Sequence, residues 1–182
     1  RRSHAIHHAT SGNLDKRGIG DIDTLTVDEY LALPRWRQWQ YRIYRSPVVM
    51  FGIGPAYVFM FQQRLPFGLM HEGWRPWVSA MATNFGIALF FVGMIWLVGA
   101  GPFLMIHLPI VALAASIGVW LFYVQHQFED TFWAEGKEWS HHEAALYGSS
   151  YYALPGVLGW LTAHIGVHHV HHLYSRIPFY RL

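Results

Sequence analysis

The sequence predicts an all-α integral membrane protein with a histidine-rich helical cap on the cytosolic side. Two long apolar stretches without a charged residue predict the membrane part. The spacing His-x-x-His-His occurs once before and once after these stretches, within polar sequence, and it predicts the cap. The composition agrees, because charged residues are 13% and aromatic residues 17% of the 182 residues, whereas charged residues are about 25% of a typical soluble domain.

The polar N-terminal region is expected to hold short elements. Gly18 and Gly20 flank one residue and are typical of a turn. Thr26, with Glu29 three residues later, matches the capping box that begins a helix. Pro34 predicts the end of this helix, because proline disfavours helical backbone at the residue before it.

Three apolar stretches follow, at about 47–62, 77–98 and 103–124. A helix needs about 20 apolar residues to cross roughly 30 Å of hydrocarbon, and the second and third stretches meet this requirement. Residues 99–102, Gly-Ala-Gly-Pro, are all that joins them. We therefore expect a tight antiparallel hairpin of two membrane-spanning helices.

Two other apolar segments are less suited to spanning. The 47–62 stretch is shorter and contains two glycines and Pro55, so it is expected to lie in the interface or to be re-entrant. The 154–165 segment is also too short and is expected to be an interfacial or buried helix.

The two histidine clusters predict a metal site. Residues at positions i, i+3 and i+4 share one face of a helix, so each cluster can direct three imidazoles to one point. Neutral imidazole is a common ligand of iron, copper and zinc. Cysteine is absent, so any metal must be held by nitrogen or oxygen. The predicted ligands are His4, His7 and His8 in the first cluster and His168, His171 and His172 in the second.

Membrane topology adds a seventh predicted ligand. The two clusters can build one site only if an even number of crossings separates them, and the hairpin supplies two. The 47–62 stretch should then not span, which agrees with Arg45 before it and Arg64 and Arg75 after it. The same parity places His126, which follows the third stretch, beside both clusters.

The remaining histidines are expected to play lesser parts. His107 is interpreted as structural, His71 as a loop residue, and His141 and His142 as surface residues. His169 falls on a different helical face from its neighbours. His164 precedes His168 by four residues and would share the ligand face, and three roles stay open for it: ligand, partner of a ligand, or polar filling.

Other function classes fit the sequence poorly. The formal net charge is only +2, and the arginines at 35, 37, 42 and 45 cluster before an apolar stretch rather than in a stripe. That pattern favours the cytoplasmic flank of a membrane segment, and no nucleic-acid partner is expected. The cluster could also dock an acidic protein, but anionic lipid is the favoured interpretation.

Three segments resemble membrane fatty-acid desaturases. Residues 1–8, Arg-Arg-Ser-His-Ala-Ile-His-His, resemble the second histidine box of that family. Residues 166–173, followed by Ser-Arg-Ile-Pro at 175–178, resemble the third box. Residues 123–133, which contain Gln-His-Gln-Phe-Glu-Asp, are similar to the segment before the third box in the acyl-lipid branch that includes the Δ12 (ω-6) enzymes.

The resemblance implies an O₂-dependent enzyme with two histidine-ligated iron ions that introduces a cis double bond into an acyl chain. The acyl chain would be linked to lipid, CoA or acyl carrier protein, and ferredoxin or cytochrome b5 would supply electrons. No catalytic residue beyond the metal ligands and no further cofactor site is expected. The location implied is a bacterial inner membrane or its equivalent, with the metal site on the cytoplasmic side.

The family also has a first histidine box upstream of the second. The sequence begins at the second box, so we expect residues 1–182 to be one partial desaturase domain, truncated at its N-terminus and inactive alone. Carboxylates often orient ligand imidazoles. Glu129 and Asp130 are the favoured candidates for that role, while Asp15 and Asp21 are interpreted as solvated surface acids.

Two alternatives remain at this point. A hydroxylase of the same superfamily, acting on alkanes, sterols or carotenoids, would use the same site but insert oxygen. A membrane metal transporter or metal-binding protein would carry ionisable residues along its spans. His107 is the only histidine or charged residue in the predicted spans, which disfavours the transporter.

Overall fold

The computed structural model describes residues 2–66 and 73–182, so the loop prediction for His71 lies outside the described residues. Within these ranges the chain is helical, with two isolated β-bridges and no strand. The all-α prediction is therefore confirmed. The α-helices are α1 (Arg2–Thr10), α2 (Val27–Ala32), α3 (Arg35–Tyr44), α4 (Gly54–Met60), α5 (Arg75–Val98), α6 (Ala100–His126), α7 (His141–Tyr147), α8 (Gly156–Leu161) and α9 (His168–Leu173).

The chain divides into two compact units. The first unit contains Arg1–Pro34 and Leu121–Leu182, and the second contains Arg35–Trp120. The C-terminal end of α6 thus belongs to the unit that holds both histidine clusters. The interpretation of residues 1–182 as one partial domain stays a prediction.

The predicted capping box begins α2. The Thr26 side chain accepts a hydrogen bond from the Glu29 backbone N–H, and the Glu29 carboxylate accepts one from the Thr26 N–H. These bonds satisfy donors that the first turn of a helix leaves unpaired. Helix α2 ends at Ala32, with Leu33 as its C-cap, as Pro34 predicts.

The second unit contains the helical hairpin. Helices α5 and α6 are the two in the described part of the chain that are long and apolar enough to cross a membrane. The rings of Phe91 and His107, equally far along the chain from Gly99, lie 4.9 Å apart. The predicted four-residue turn is wrong, because α6 begins at Ala100 and Gly99 alone lies between the helices, with a φ of +88°.

The 47–62 stretch is broken rather than continuous. A π-helical turn at Val49–Ile53 runs into α4, and Pro55 lies at the start of that helix. Proline is tolerated there because backbone N–H groups in the first turn of a helix have no intrahelical acceptor, so the N–H that proline lacks is not needed. The interpretation of this stretch as interfacial or re-entrant stays a prediction.

Backbone hydrogen bonds tie the first unit together. The Leu14 N–H donates to the Ala134 carbonyl at 2.9 Å, and the Ala134 N–H donates to the Gly12 carbonyl at 2.9 Å. Near the second cluster, the buried side chain of Gln125 donates to the Ile165 carbonyl at 3.0 Å. These bonds join the segment after α1, the loop after α6 and the approach to α9.

Candidate metal centre

Three helices bring the seven predicted ligands together. Helix α1 carries the first cluster, α9 carries the second, and His126 is the last residue of α6. Both clusters are helical, as predicted, but each divides its rings between two groups instead of directing all three to one point. Four of the seven side chains are buried, namely His7, His126, His168 and His172, each at most 6% exposed. Burying four imidazoles together costs solvation that only polar partners or a ligand can replace.

One group of three rings is buried. His7, His126 and His172 each offer a nitrogen, and the three atoms lie within 4.8 Å of one another. The Nε2 atoms of His7 and His126 are 3.2 Å apart. His168 lies against this group, with its Nε2 2.8 Å from the Nε2 of His126.

A second group lies nearer the surface. His4, His8 and His171 offer nitrogens within 4.8 Å of one another, and the Nε2 atoms of His4 and His8 are 3.0 Å apart. His4 is exposed, while His8 and His171 are half-buried. Adjacent residues belong to different groups. His7 and His8 are neighbours on α1, and His171 and His172 are neighbours on α9.

Burial favours the neutral form of five of the clustered rings. Desolvation, and then the repulsion of neighbouring imidazoles, lowers the pKa of His8 to about 3. The same two causes lower the pKa of His4 and His171. They also lower the pKa of His168 and His172. At neutral pH these rings are therefore uncharged, which is the state in which imidazole binds metal.

The nitrogen positions fit metal ions. Two imidazole nitrogens that share one ion at about 2.1 Å lie roughly 3–4 Å apart, and the 3.2 Å and 3.0 Å pairs meet this test. The Nε2 of His172 is buried and has no hydrogen-bond partner among the described residues. Converging nitrogen lone pairs repel one another, so a shared cation would stabilise this arrangement. All seven donors are imidazoles, which suit iron, copper and zinc.

The outer contacts of the rings differ from the sequence interpretation. The carboxylate of Asp21 accepts a hydrogen bond from Nδ1 of His7, and both side chains are buried. The interpretation of Asp21 as a solvated acid is therefore wrong. Glu129 and Asp130 are exposed, and Nδ1 of His126 instead lies 3.3 Å from the Gly148 carbonyl.

Sequence signals pointed only weakly to these partners. The Gly18 and Gly20 turn predicted a change of direction after α1, which is what returns the chain toward His7. Its direction depends on the close approach of Gly20 to Ser3, and no local pattern encodes that contact. The Gly148 carbonyl is a backbone group and leaves no residue-type signal.

The premise for His164 was wrong. Helix α9 begins at His168, so His164 lies outside it and does not share its face. Instead, His164 closes α8, and its N–H donates to the Gly159 carbonyl at 2.7 Å with a φ of +53°. The N–H of Ala163 donates to the Trp160 carbonyl, and the two bonds together form a Schellman helix end.

The other histidines follow their interpretations. His107 stacks on Phe103 with ring centroids 4.9 Å apart, as a packed structural residue does. His141 and His142 are exposed on α7. The ring of His169 lies 5.9 Å from that of Tyr151 rather than within either group of three.

Comparison with known proteins agrees with this geometry. The sequence model of the family described as "Fatty acid desaturase" matches residues 1–182. The chain belongs to the fatty acid desaturase family. It is 48% identical over 180 residues to a protein named "Fatty acid desaturase" from Bacillus subtilis (strain 168). The aligned region covers 99% of this chain and 51% of that relative. No solved structure is significantly similar to the chain.

Family membership gives the two histidine groups a coarse assignment. A fatty acid desaturase has a metal centre, and within residues 2–66 and 73–182 the two groups of three imidazoles could hold one. The family and the two long apolar helices together indicate a membrane protein. The chain spans about half the length of the curated relative that it matches.

Proposed function

We propose that the protein to which this chain belongs is an acyl desaturase, using O₂ and a histidine-ligated di-iron centre to introduce a cis double bond. The observation that carries the proposal is the pair of adjoining histidine groups on α1, α6 and α9, in a chain of the desaturase family. Two groups, each with three nitrogens, provide for two ions rather than one. The proposed ligands are His4, His7, His8, His126, His168, His171 and His172.

The reaction requires a strong oxidant. Removing two hydrogens from adjacent methylenes is beyond any amino-acid side chain, so the bound metal would supply the oxidising chemistry with O₂. The acyl –CH₂–CH₂– unit gives –CH=CH–, and O₂ takes up its two hydrogens, two electrons and two protons to give two waters. The first histidine box of the family would complete the ligand set.

The chain's own residues hold and shield the site in this proposal. Helices α1 and α9 carry three rings each, and contacts with the Asp21 carboxylate and the Gly148 carbonyl orient His7 and His126. The ring of Phe122 lies 5.4 Å from that of His7 and 5.1 Å from that of His126. This apolar ring limits water around the buried group, which protects a strongly oxidising site from side reactions.

An open groove gives access to the site. It has a volume of about 260 Å³ and is lined by His8 and His172 from the two groups, together with Leu173, Tyr174 and Arg176. Because the groove reaches one ring of each histidine group, it is the proposed route by which a co-substrate approaches. Substrates proposed from the resemblance are acyl chains linked to lipid, CoA or acyl carrier protein.

Each turnover also needs two electrons in addition to the two hydrogens of the substrate. Ferredoxin or cytochrome b5 is the proposed donor. Helix α3 carries three of the four clustered arginines, together with exposed Trp36 and Trp39. Tryptophan favours the membrane interface, so membrane lipid is the proposed partner of this helix.

A product analysis tests the proposal. The full-length gene is expressed in a host with a simple fatty-acid profile, and new lipids are identified by mass spectrometry. We expect a new cis alkene, and its loss in both the His7→Ala and the His172→Ala variants. The matched control is His142→Ala, which changes an exposed histidine outside both groups. An alcohol in place of an alkene would assign the protein to the hydroxylases instead.

Metal analysis provides a separate test. About two iron ions per chain are expected in the purified full-length protein. Zinc alone, with no O₂ consumption in the presence of reductant, would contradict the proposal and favour a metal-binding protein.

A further inference from the structure

The loop between α1 and α2 brings one carboxylate to the buried histidine group. Asp21 follows α1 by eleven residues, and its carboxylate accepts a hydrogen bond from Nδ1 of His7. The side chains are 8% and 2% exposed, respectively. The second carboxylate oxygen is buried and has no hydrogen-bond partner among the described residues. A buried carboxylate in contact with a single imidazole is costly unless that contact has a role.

The loop is built to hold this carboxylate in place. Gly20 has a φ of +78°, and a Cβ there would lie 3.2 Å from the Ser3 carbonyl oxygen and 3.3 Å from Cβ of His7. A side chain at position 20 would therefore be strained by this φ and crowded against α1. Downstream, Ile22 is buried, and the Thr24 hydroxyl accepts a hydrogen bond from the Gln127 side chain at 3.3 Å.

The contact decides which nitrogen of His7 faces the group. Because the carboxylate accepts the Nδ1 proton, Nε2 keeps its lone pair, and Nε2 is the atom 3.2 Å from Nε2 of His126. Loss of such a hydrogen-bonded partner of a metal-binding histidine typically weakens metal binding. His126 is oriented in the same sense, but by a neutral carbonyl, that of Gly148.

We propose that Asp21 is a positioning residue of the metal centre, which fixes the tautomer and orientation of His7 and strengthens metal binding in the buried group. The inference rests on the proposed metal centre, and it adds a residue that belongs to neither histidine cluster. Asp21 acts through His7 and does not itself contact a metal ion or substrate.

The test measures metal binding in the full-length protein, purified in detergent. Asp21→Asn retains the size of the side chain and removes its charge, while Asp21→Glu retains the charge. The matched control is Asp130→Asn, which removes an exposed carboxylate near His126. Iron content is measured by mass spectrometry, affinity by chelator competition, and the ligand field by the visible spectrum of the cobalt-substituted protein.

We expect Asp21→Asn to weaken metal binding by about 10- to 100-fold and to shift the cobalt spectrum. Asp21→Glu should recover part of both, and Asp130→Asn should match the wild type. A purely structural role would lower the yield of folded protein but leave the cobalt spectrum of the folded fraction unchanged.

Two results overturn the inference. One is wild-type affinity and spectrum in folded Asp21→Asn. The other applies if Asp21→Asn does not fold. In that case Asp21→Glu is compared with an uncharged variant, Asp21→Ser, and equal metal affinity and equal cobalt spectra of the two would overturn the inference. Failure of the proposed centre itself would look different, because the wild type would then bind no metal through His7 and His172.

Discussion

At the scale of single residues, the two histidine groups differ in how readily water reaches them. His7, His126 and His172 are all buried, whereas the other group includes the exposed His4 and the half-buried His8 and His171. A chelator must reach a bound ion or wait for the protein to open locally. Opening costs more free energy where more of the site is buried.

We therefore expect EDTA to remove metal from the purified protein in two phases. The ion held by the His4 group should leave first. The ion of the buried group should leave at least about tenfold more slowly, which corresponds to about 1.4 kcal/mol of additional opening free energy. Metal release is followed by stopped-flow absorbance of the chelator complex.

Single substitutions assign the phases. His4→Ala should abolish the fast phase and His7→Ala the slow phase, while His142→Ala should leave both intact. A single phase of release in the wild type, or loss of both phases in His4→Ala, would show that the two groups do not act as separate sites.

The site residues show what sequence can and cannot predict. The spacing i, i+3, i+4 encodes a shared helical face, so two clusters could be recognised without a structure. The prediction that both clusters converge with His126 depended on the number of membrane crossings between them, which can also be counted from the sequence. Asp21 could not be predicted, because its contact with His7 depends on how closely Gly20 passes α1. His164 was misjudged because a helix boundary, at His168, separates it from the cluster.

At the scale of elements, the hairpin depends on one backbone conformation. Gly99 has a φ of +88° and a ψ of 153°, and it alone connects α5 to α6. Residues with a side chain rarely adopt this region, and being held there costs about 1–3 kcal/mol. Gly101 is already within α6, and a Cβ there would meet nothing within 4 Å.

The two glycines form a matched pair for mutation. Gly99→Ala should destabilise the hairpin by about 1–3 kcal/mol. Gly101→Ala should be neutral or stabilise α6 by up to about 1 kcal/mol, because alanine favours helix over glycine. Unfolding of the purified protein in an SDS titration, followed by circular dichroism, measures both. Equal effects of the two changes would mean that the turn conformation does not limit stability.

At the scale of the whole molecule, the sequence predicted helix lengths better than helix ends. Hydrophobicity over some 20 residues marked α5 and α6, because crossing hydrocarbon demands it. The turn was predicted to occupy four residues, yet Ala100, Gly101 and Pro102 are helical. Proline in the first turn of a helix is well tolerated. The helix therefore includes these residues, although Gly and Pro are typical of turns.

The first compact unit also constrains how the chain crosses a membrane. The segment around Lys16 is bonded to the segment around Lys137, since the Gly136 N–H donates to the Asp15 carboxylate at 2.9 Å. Both segments must therefore lie on one side of a membrane, which requires an even number of crossings between them. If helices α5 and α6 provide these two crossings, residues 47–62 are predicted not to cross.

Cysteine labelling tests that topology, and the native chain has no cysteine to give a background signal. Lys16→Cys, Gln63→Cys and Lys137→Cys change exposed residues and should react with an impermeant maleimide from the same side of the membrane. Ala100→Cys, at the exposed start of α6, should react from the opposite side. If residues 47–62 crossed instead, Gln63→Cys and Lys137→Cys would be labelled opposite to Lys16→Cys. That pattern would place the two histidine clusters on different sides and exclude one shared metal centre.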